Sequence, residues 1–523
     1  MAGESQISQI SKDEASITDL IQTFKRVSDS PLTRLILRNL CKSCRKDGDN
    51  HLDVALQLYV GLREDACLTC KIAKRILTPI LQSGSKAFGV TKEQLRERFR
   101  DPHWRRGLVS VIKGIGWFGV RRPYVPGAPF QIVWNITKAC NLRCIHCYEN
   151  AGLRDADELS REEVHRGIDV LADAGCSILA FSGGEPTIHP HILEFVEHAS
   201  KRGMYVAMAT NAIRLADIDV VREFKEAGLG FAQISLDGLN PETNDYFRGV
   251  PGAWRKTVEG IKNCVAEGLF VEVATTATHY NYGEISDLID FSDELGADWF
   301  MIYNFVPTGR GTEIVESDLS PEEREEVLIE AFQKTRELNI EVLSTAPQYA
   351  RIAQMTESGV LPCESHERSK RGSVIPTHFY NPKYTNEYLK RLADFVGGCG
   401  AGRFYLSVEP NGDIYPCVFF PHEEAVRVGN LLEDDFEELW KNSHLLRMLR
   451  NKDKLKPNCG TCEYLYTCGG CRARAYNYYG DIRAPDPGCV INNEHWARLR
   501  GEPSKRRKAR DERRGGIVIQ SYG

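Results

Sequence analysis

Three cysteines, Cys140, Cys144 and Cys147, stand at C-x3-C-x2-C spacing, with His146 and Tyr148 on either side of the third. They closely follow the β-type run Gln131-Ile132-Val133-Trp134-Asn135. That order puts them on the loop after a strand, where α/β enzymes build their sites. Cysteine thiolates are soft donors suited to iron–sulfur clusters. A four-iron cluster ordinarily takes four thiolates. Three from one tight loop leave one iron open to a small molecule.

The chain holds 17 cysteines in 523 residues, most of them at short spacings. In a reducing compartment such clustering reads as metal or cluster ligation rather than disulfides. Near the N-terminus, Cys41-x2-Cys44 and Cys67-x2-Cys70 are two knuckles on either side of a helical pattern. Together they suit a four-thiolate site for zinc or iron; a further cluster, or unligated core cysteines, are the alternatives. Towards the C-terminus come Cys399 and Cys417, then Cys459-x2-Cys462-x5-Cys468-x2-Cys471, then Cys489. A structural-zinc reading of the 459–471 knuckles is the plain alternative to a cluster there. Cys176 and Cys264 sit in apolar contexts and read as inert core.

The elements that must position these residues follow from hydrophobic periodicity. Residues 1–30 are a polar, flexible lead, and 31–125 a helical domain carrying the two knuckles. Strand-like runs then alternate with helices: Gln131–Thr137, Ser177–Phe181, Tyr205–Ala209, Phe231–Leu236, Phe270–Thr276 and Trp299–Phe305. Helical patterns lie near 160–174, 189–201, 216–227, 253–267, 283–294 and 320–336. This alternation predicts βαβ units, a parallel sheet, and a partial or full barrel over 126–345. A bridging segment covers 346–395, a cysteine-rich extension 396–495, and a basic tail 496–523. Trp104–Arg122 is apolar in the middle and basic at its ends; it packs on the next domain or, alternatively, lies at a membrane interface.

The net charge of −5 gives no nucleic-acid signal. No apolar run reaches the roughly 18 residues a spanning helix needs. The expectation is a cytoplasmic protein, with peripheral membrane contact as the alternative.

Cys140, Cys144 and Cys147, with His146 in the slot before the third cysteine, resemble the signature of the radical S-adenosylmethionine (SAM) superfamily. Ser182-Gly183-Gly184-Glu185-Pro186, after the second strand, resembles the segment with which that family holds the amino group of SAM's methionine moiety. The resemblance implies an α/β fold, a partial (β/α)6 barrel. It implies cofactor-binding roles for His146, Tyr148, Gly183, Gly184, Glu185, Asn211, Ser235, Asp237 and Arg310. Arg310 reads equally as a surface ion-pair residue. The C-terminal cysteines resemble a SPASM domain, an extension carrying auxiliary four-iron clusters. In the family pattern the last gap before Cys471 is three residues, whereas here it is two. Family wiring implies one cluster on Cys459, Cys462, Cys468 and Cys489, and another on Cys399, Cys417 and Cys471. The second has Cys363 as its fourth ligand or an open iron.

The resemblance further implies reductive cleavage of SAM to a 5′-deoxyadenosyl radical, then hydrogen abstraction from an unactivated C–H. Oxidation or C–C or C–X bond formation would follow. The expected partners are SAM, an electron donor such as ferredoxin or flavodoxin, and a peptide or protein substrate. Lipid chains and tetrapyrroles or other cofactor precursors are the alternatives. An iron–sulfur electron-transfer or assembly protein is the non-enzymatic alternative, and Gly183-Gly184-Glu185 argues against it.

Overall fold

The computed structural model describes residues 30–87, 91–357, 360–361 and 396–501. Five helices open it: α1 (Pro31–Leu40), α2 (His51–Val60), α3 (Leu68–Ala87), α4 (Lys92–Arg98) and α5 (Pro102–Phe118). Leu52, Leu56, Ala73, Leu77 and Val109 give them a small core of their own. Helix α5 packs on both the helical core and the barrel. Leu108 and Ile112 lie against that core. On its barrel side, Arg106 donates to Ala172 O at 2.6 Å and Lys113 to Ala174 O at 3.3 Å.

The α/β unit follows in strict alternation. Its strands are β1 (Gln131–Asn135), β2 (Ile178–Ser182), β3 (Tyr205–Thr210), β4 (Leu229–Ser235), β5 (Phe270–Ala277), β6 (Trp299–Asn304) and β7 (Glu341–Ser344). Its helices are α6 (Arg161–Ala174), α7 (Ile192–Lys201), α8 (Ile218–Ala227), α9 (Pro241–Arg248), α10 (Ala253–Ala266), α11 (Ile285–Glu294), α12 (Pro321–Glu337) and α13 (Gln348–Glu357). The strands are almost wholly buried because helices cover one face and the barrel interior the other. Local signals set the helix starts: Ser160 with Glu163 and Ser320 with Glu323 form capping boxes at α6 and α12.

The first six strands match the sequence expectation closely, and β7 adds a seventh. The C-terminal region then joins the same sheet instead of standing beside it. Strand β8 (Tyr405–Val408) pairs parallel with β1, Gln131 opposite Tyr405. Strands β9 (Asp413–Tyr415) and β10 (Gly429–Asn430) extend it antiparallel. Among the described residues this makes ten strands in the order β10-β9-β8-β1-β2-β3-β4-β5-β6-β7. The two edge strands do not pair, so the barrel is partial. Among the described residues four more helices follow: α14 (Phe436–Asn442), α15 (His444–Arg450), α16 (Arg472–Tyr479) and α17 (Asn493–Gly501).

Buried Arg474 of α16 ties this extension to the barrel, contacting Asp318 at 2.9 Å and Asp486 at 3.2 Å. No described helix is long and apolar enough to cross a membrane.

Candidate active site

The loop after β1 carries Cys140, Cys144 and Cys147, and close backbone packing fixes its path. Cys140 N donates to Gly152 O at 3.1 Å. The turn after β2 lies directly against it: Gly184 N donates to Thr137 O at 2.6 Å and Glu185 N to Ala139 O at 2.8 Å. Both glycines are sterically required. A Cβ on Gly184 would meet Ala139 O at 2.1 Å, and one on Gly183 would meet Thr137 O at 2.6 Å. Gly183 also holds φ at +119°, which disfavours any side chain.

Cys140, Cys144 and Cys147 gather in one apolar cluster with Leu142 and Ala253. Donors point at the sulfurs: Leu142 N at Cys140 (3.4 Å), Ala151 N at Cys147 (3.5 Å), and Arg248 at Cys144 (3.8 Å). Burial pushes the Cys140 thiol up to about 12 and the Cys144 thiol up as well. Buried sulfurs with N–H donors but little solvent fit soft-metal ligation, where iron takes the place of the proton.

Around the loop stand the strand-end residues. Glu185 is fully buried, its carboxyl raised by desolvation. Thr187 and Thr210 hydroxyls donate to Oε1 at 2.5 and 2.7 Å, and Asn211 N donates to Oε2 at 2.8 Å. Asn211 Nδ2 reaches Asn141 Oδ1 at 2.7 Å, locking the β3 end to the cysteine loop. Ser235 is half-buried at the end of β4. The His146 ring lies over Phe247, centroids 4.2 Å apart. Burial lowers it to about 4, so it is neutral at pH 7. Asp237 sits 3.6 Å from His146 Nε2 and is paired with Arg248 at 2.5 Å. The Tyr148 hydroxyl meets Ser182 Oγ at 2.9 Å. Arg310 is neither a free cation nor a surface ion pair: it donates to Cys144 O at 2.9 Å and Ala151 O at 2.7 Å, bracing the loop.

The C-terminal cysteines fall into two groups. Cys399, Cys417 and Cys471 line one cavity at the barrel mouth, together with Tyr303, Thr345 and Tyr405. Cys459, Cys462, Cys468 and Cys489 line a second. Backbone N–H groups again aim at sulfur: Phe419 at Cys417 (3.4 Å), Gly470 at Cys468 (3.4 Å) and Asp486 at Cys459 (3.4 Å). The shortened gap before Cys471 does not displace it from the first group. Cys363 lies outside the described residues.

The pattern that defines the radical SAM superfamily matches residues 134–292, and that of an iron–sulfur cluster-binding SPASM domain matches 399–463. An AdoMet-dependent heme synthase of Methanosarcina barkeri is 33% identical over 368 residues, 69% of this chain and 97% of its own. The chain belongs to the radical SAM superfamily. The mycofactocin maturase MftC of Mycobacterium tuberculosis is 30% identical, over 75% of this chain and 90% of its own. In fold it resembles Streptococcus suis SuiB bound to S-adenosylmethionine, with a TM-score of 0.55, 18% identity, and coverage of 84% of this chain and 92% of that one. It is thus a radical SAM enzyme with a SPASM extension, using SAM and [4Fe-4S] clusters.

Beyond the family pattern, this radical SAM chain holds three groups, two that the sequence did not single out and a third of which it gave the cysteines but not His51. Arg248 and Phe247, at the end of α9, form the wall behind Cys144 and His146. Lys138, Glu149, Glu409 and His422 form a polar knot beside the loop. Lys138 pairs with Glu149, and Asn135 Nδ2 donates to Glu149 at 2.5 Å and Glu409 at 2.9 Å. His422 closes the knot at 3.2 Å from Glu409. Burial raises Glu149 to about 7, while His422 keeps Glu409 low. Lys138 and Glu149 lie over 250 positions before Glu409 and His422 in sequence, and the β1–β8 pairing brings the two pairs together. The third group is in the N-terminal domain, where His51 joins Cys44, Cys67 and Cys70. Cys41 is not part of it. It ends α1 with its thiol turned towards Val109 O, 3.9 Å away, in the helical core.

Proposed function

We propose that this enzyme carries out SAM-dependent radical oxidation or bond formation on a peptide or protein. The observation behind this is the barrel wall. Strands β1 to β8 contain no Lys, Arg or His. Their inward face offers aromatic rings and neutral hydrogen-bonding groups instead. Tyr303 donates to Gln233 at 3.0 Å, and Gln233 contacts Glu272. Desolvation raises Glu272 to about 8, so it is an uncharged acid at pH 7. Neutral amide, hydroxyl and carboxyl groups match peptide amides, which need a hydrogen bond when buried. A polycarboxylate would find no cation on the strands.

In this reading the Cys140, Cys144 and Cys147 thiolates hold the SAM-binding cluster. When bound, cluster and SAM supply a 5′-deoxyadenosyl radical by reductive cleavage. The chain's residues position and insulate. Glu185 and Asn211 fix the methionine side, and His146, backed by Phe247, presents a neutral flat face to the adenine. Gly183 and Gly184 let the β2 turn close on the loop and exclude water. The cysteines at 459, 462, 468 and 489 hold a four-thiolate cluster. Those at 399, 417 and 471, which line the cavity at the barrel mouth, would hold another and would supply a site for one-electron chemistry there. A ferredoxin or flavodoxin supplies the reducing electron.

A second reading, a tetrapyrrole substrate, is favoured by the heme-synthase relatives and requires loop cations for the propionates. The test is an anaerobic extract of the source cells added to reconstituted enzyme, with 5′-deoxyadenosine as readout. Stimulation destroyed by protease, and retained after acid–acetone removal of tetrapyrroles, supports the peptide reading. Protease-resistant stimulation that follows the pigment or lipid fraction refutes it.

A further inference from the structure

The N-terminal helical domain has no role in the chemistry above, yet it contains a compact donor set. Cys44 and Cys67 sulfurs lie 3.6 Å apart, Cys67 and Cys70 3.5 Å, and His51 Nδ1 is 3.2 Å from Cys70 Sγ. All four donor atoms fall within 4.8 Å of one another.

We propose that Cys44, His51, Cys67 and Cys70 form a structural zinc site, distinct from the iron–sulfur clusters. Distances separate one ion from a cluster. A tetrahedral zinc with Zn–S near 2.3 Å places its thiolates about 3.8 Å apart, and sulfur about 3.6 Å from a ligating nitrogen. The observed spacings are within a few tenths of an ångström of these. A cubane spreads four thiolates over four irons, so sulfurs in mutual contact cannot all serve one. The donor set decides between metals: three thiolates and one imidazole is a regular structural zinc set.

Local structure explains why His51, not Cys41, is the fourth donor. Cys44 opens a tight knuckle, with Cys44 N bonded to Asp49 O at 2.7 Å and Gly48 N to Cys44 O at 2.9 Å. Gly48 takes the left-handed conformation that closes it. Asn50 then caps α2, accepting from Leu52 N at 2.9 Å. This puts His51 on the first helical position, facing the start of α3, where Cys67 and Cys70 sit. The cap's amide also binds Cys41 O, keeping that residue at the base of the knuckle. Asp47 supports the outer shell, accepting from Cys67 N at 3.2 Å and pairing with Arg63 at 3.5 Å. Outer-shell bonds of this kind orient metal ligands. The ion joins the segment after α1 to the start of α3 in a domain whose own core is small, where a metal adds the missing stability.

The test uses the full-length chain. Metal analysis should find about one zinc per chain, retained when iron is stripped. The zinc X-ray absorption edge should fit three sulfurs near 2.3 Å and one nitrogen near 2.0–2.1 Å. Cys41→Ser should keep the zinc, and His51→Cys should keep it with four sulfurs. His51→Ala should lose it or lose the nitrogen shell. Four sulfurs in the wild type, zinc lost in Cys41→Ser, or cluster absorbance lost with the zinc would overturn the assignment, as would wild-type protein without zinc.

Discussion

Replacing Gly184 with alanine tests the loop geometry at its tightest point. The new Cβ would lie 2.1 Å from Ala139 O, 2.6 Å from Ala139 C and 2.7 Å from Lys138 O. Ordinary contact begins near 3.4 Å, so the cysteine loop must retreat by about 1.3 Å. All three atoms are backbone, and no side chain can swing aside. Retreat breaks the Gly184 N to Thr137 O and Glu185 N to Ala139 O bonds. Each is worth about 1 kcal/mol. Overpacking adds about 1–3 kcal/mol, for a local cost of about 3–5 kcal/mol. A displacement near 1 Å costs roughly 10²-fold in rate even where the groups survive. After anaerobic reconstitution, dithionite-driven SAM cleavage should therefore fall at least about 100-fold. Auxiliary-cluster iron should remain. Gly283→Ala, which meets nothing within 4 Å, is the control and should behave as wild type. Gly184→Ala with full iron and wild-type cleavage would show that the packing of the β2 turn on the loop does not position the site.

Two further outcomes follow from buried charges. Desolvation makes Glu272 hold its proton to about pH 8 in the native state, against an ordinary carboxyl value of 4.5. The native state then binds more protons than the unfolded chain between those values, so stability falls as pH rises from about 4.5 to 8. The shift corresponds to something on the order of 4–5 kcal/mol. Glu272→Gln should flatten that slope in denaturant titrations at pH 5.5 and 8, and an unchanged slope would refute the assignment. Arg248→Met strands the Asp237 carboxylate in the core, a loss of about 3–5 kcal/mol. Adding Asp237→Asn should restore part of it, read as recovered soluble yield and iron content; strictly additive losses would mean the pair is not coupled.

Most of the scaffold was legible from sequence because its strands are largely apolar runs alternating with helical patterns. Gln131–Asn135 and Trp299–Asn304 need no partner to be recognised. Strand β8 was not legible: four residues, Tyr405–Val408, carry too little pattern, and their partner β1 lies more than 270 positions earlier. For the same reason the Glu149–Glu409 pair was invisible. The ligand motifs were legible as spacings, since C-x3-C-x2-C survives any change in the surrounding fold. Spacing misled at Cys41, because two cysteines three apart face the same way only if one local turn holds both. There α1 ends at Leu40, and the knuckle begins only at Cys44. Arg310 was read as a cofactor contact or a surface ion-pair residue because it follows a strand end; its hydrogen bonds to the Cys144 and Ala151 carbonyls depend on the fold and left no mark in the sequence.

The central claim is that Cys140, Cys144 and Cys147 form the site of SAM cleavage. The direct measurement is 5′-deoxyadenosine formed from SAM and dithionite under anaerobic conditions, comparing wild type with the Cys140→Ala, Cys144→Ala, Cys147→Ala triple variant. Three four-iron clusters give roughly twelve irons per chain, and the variant should retain about eight of them. Wild type should form 5′-deoxyadenosine and the variant none. Product from the variant, or none from wild type carrying all its clusters, would contradict the account.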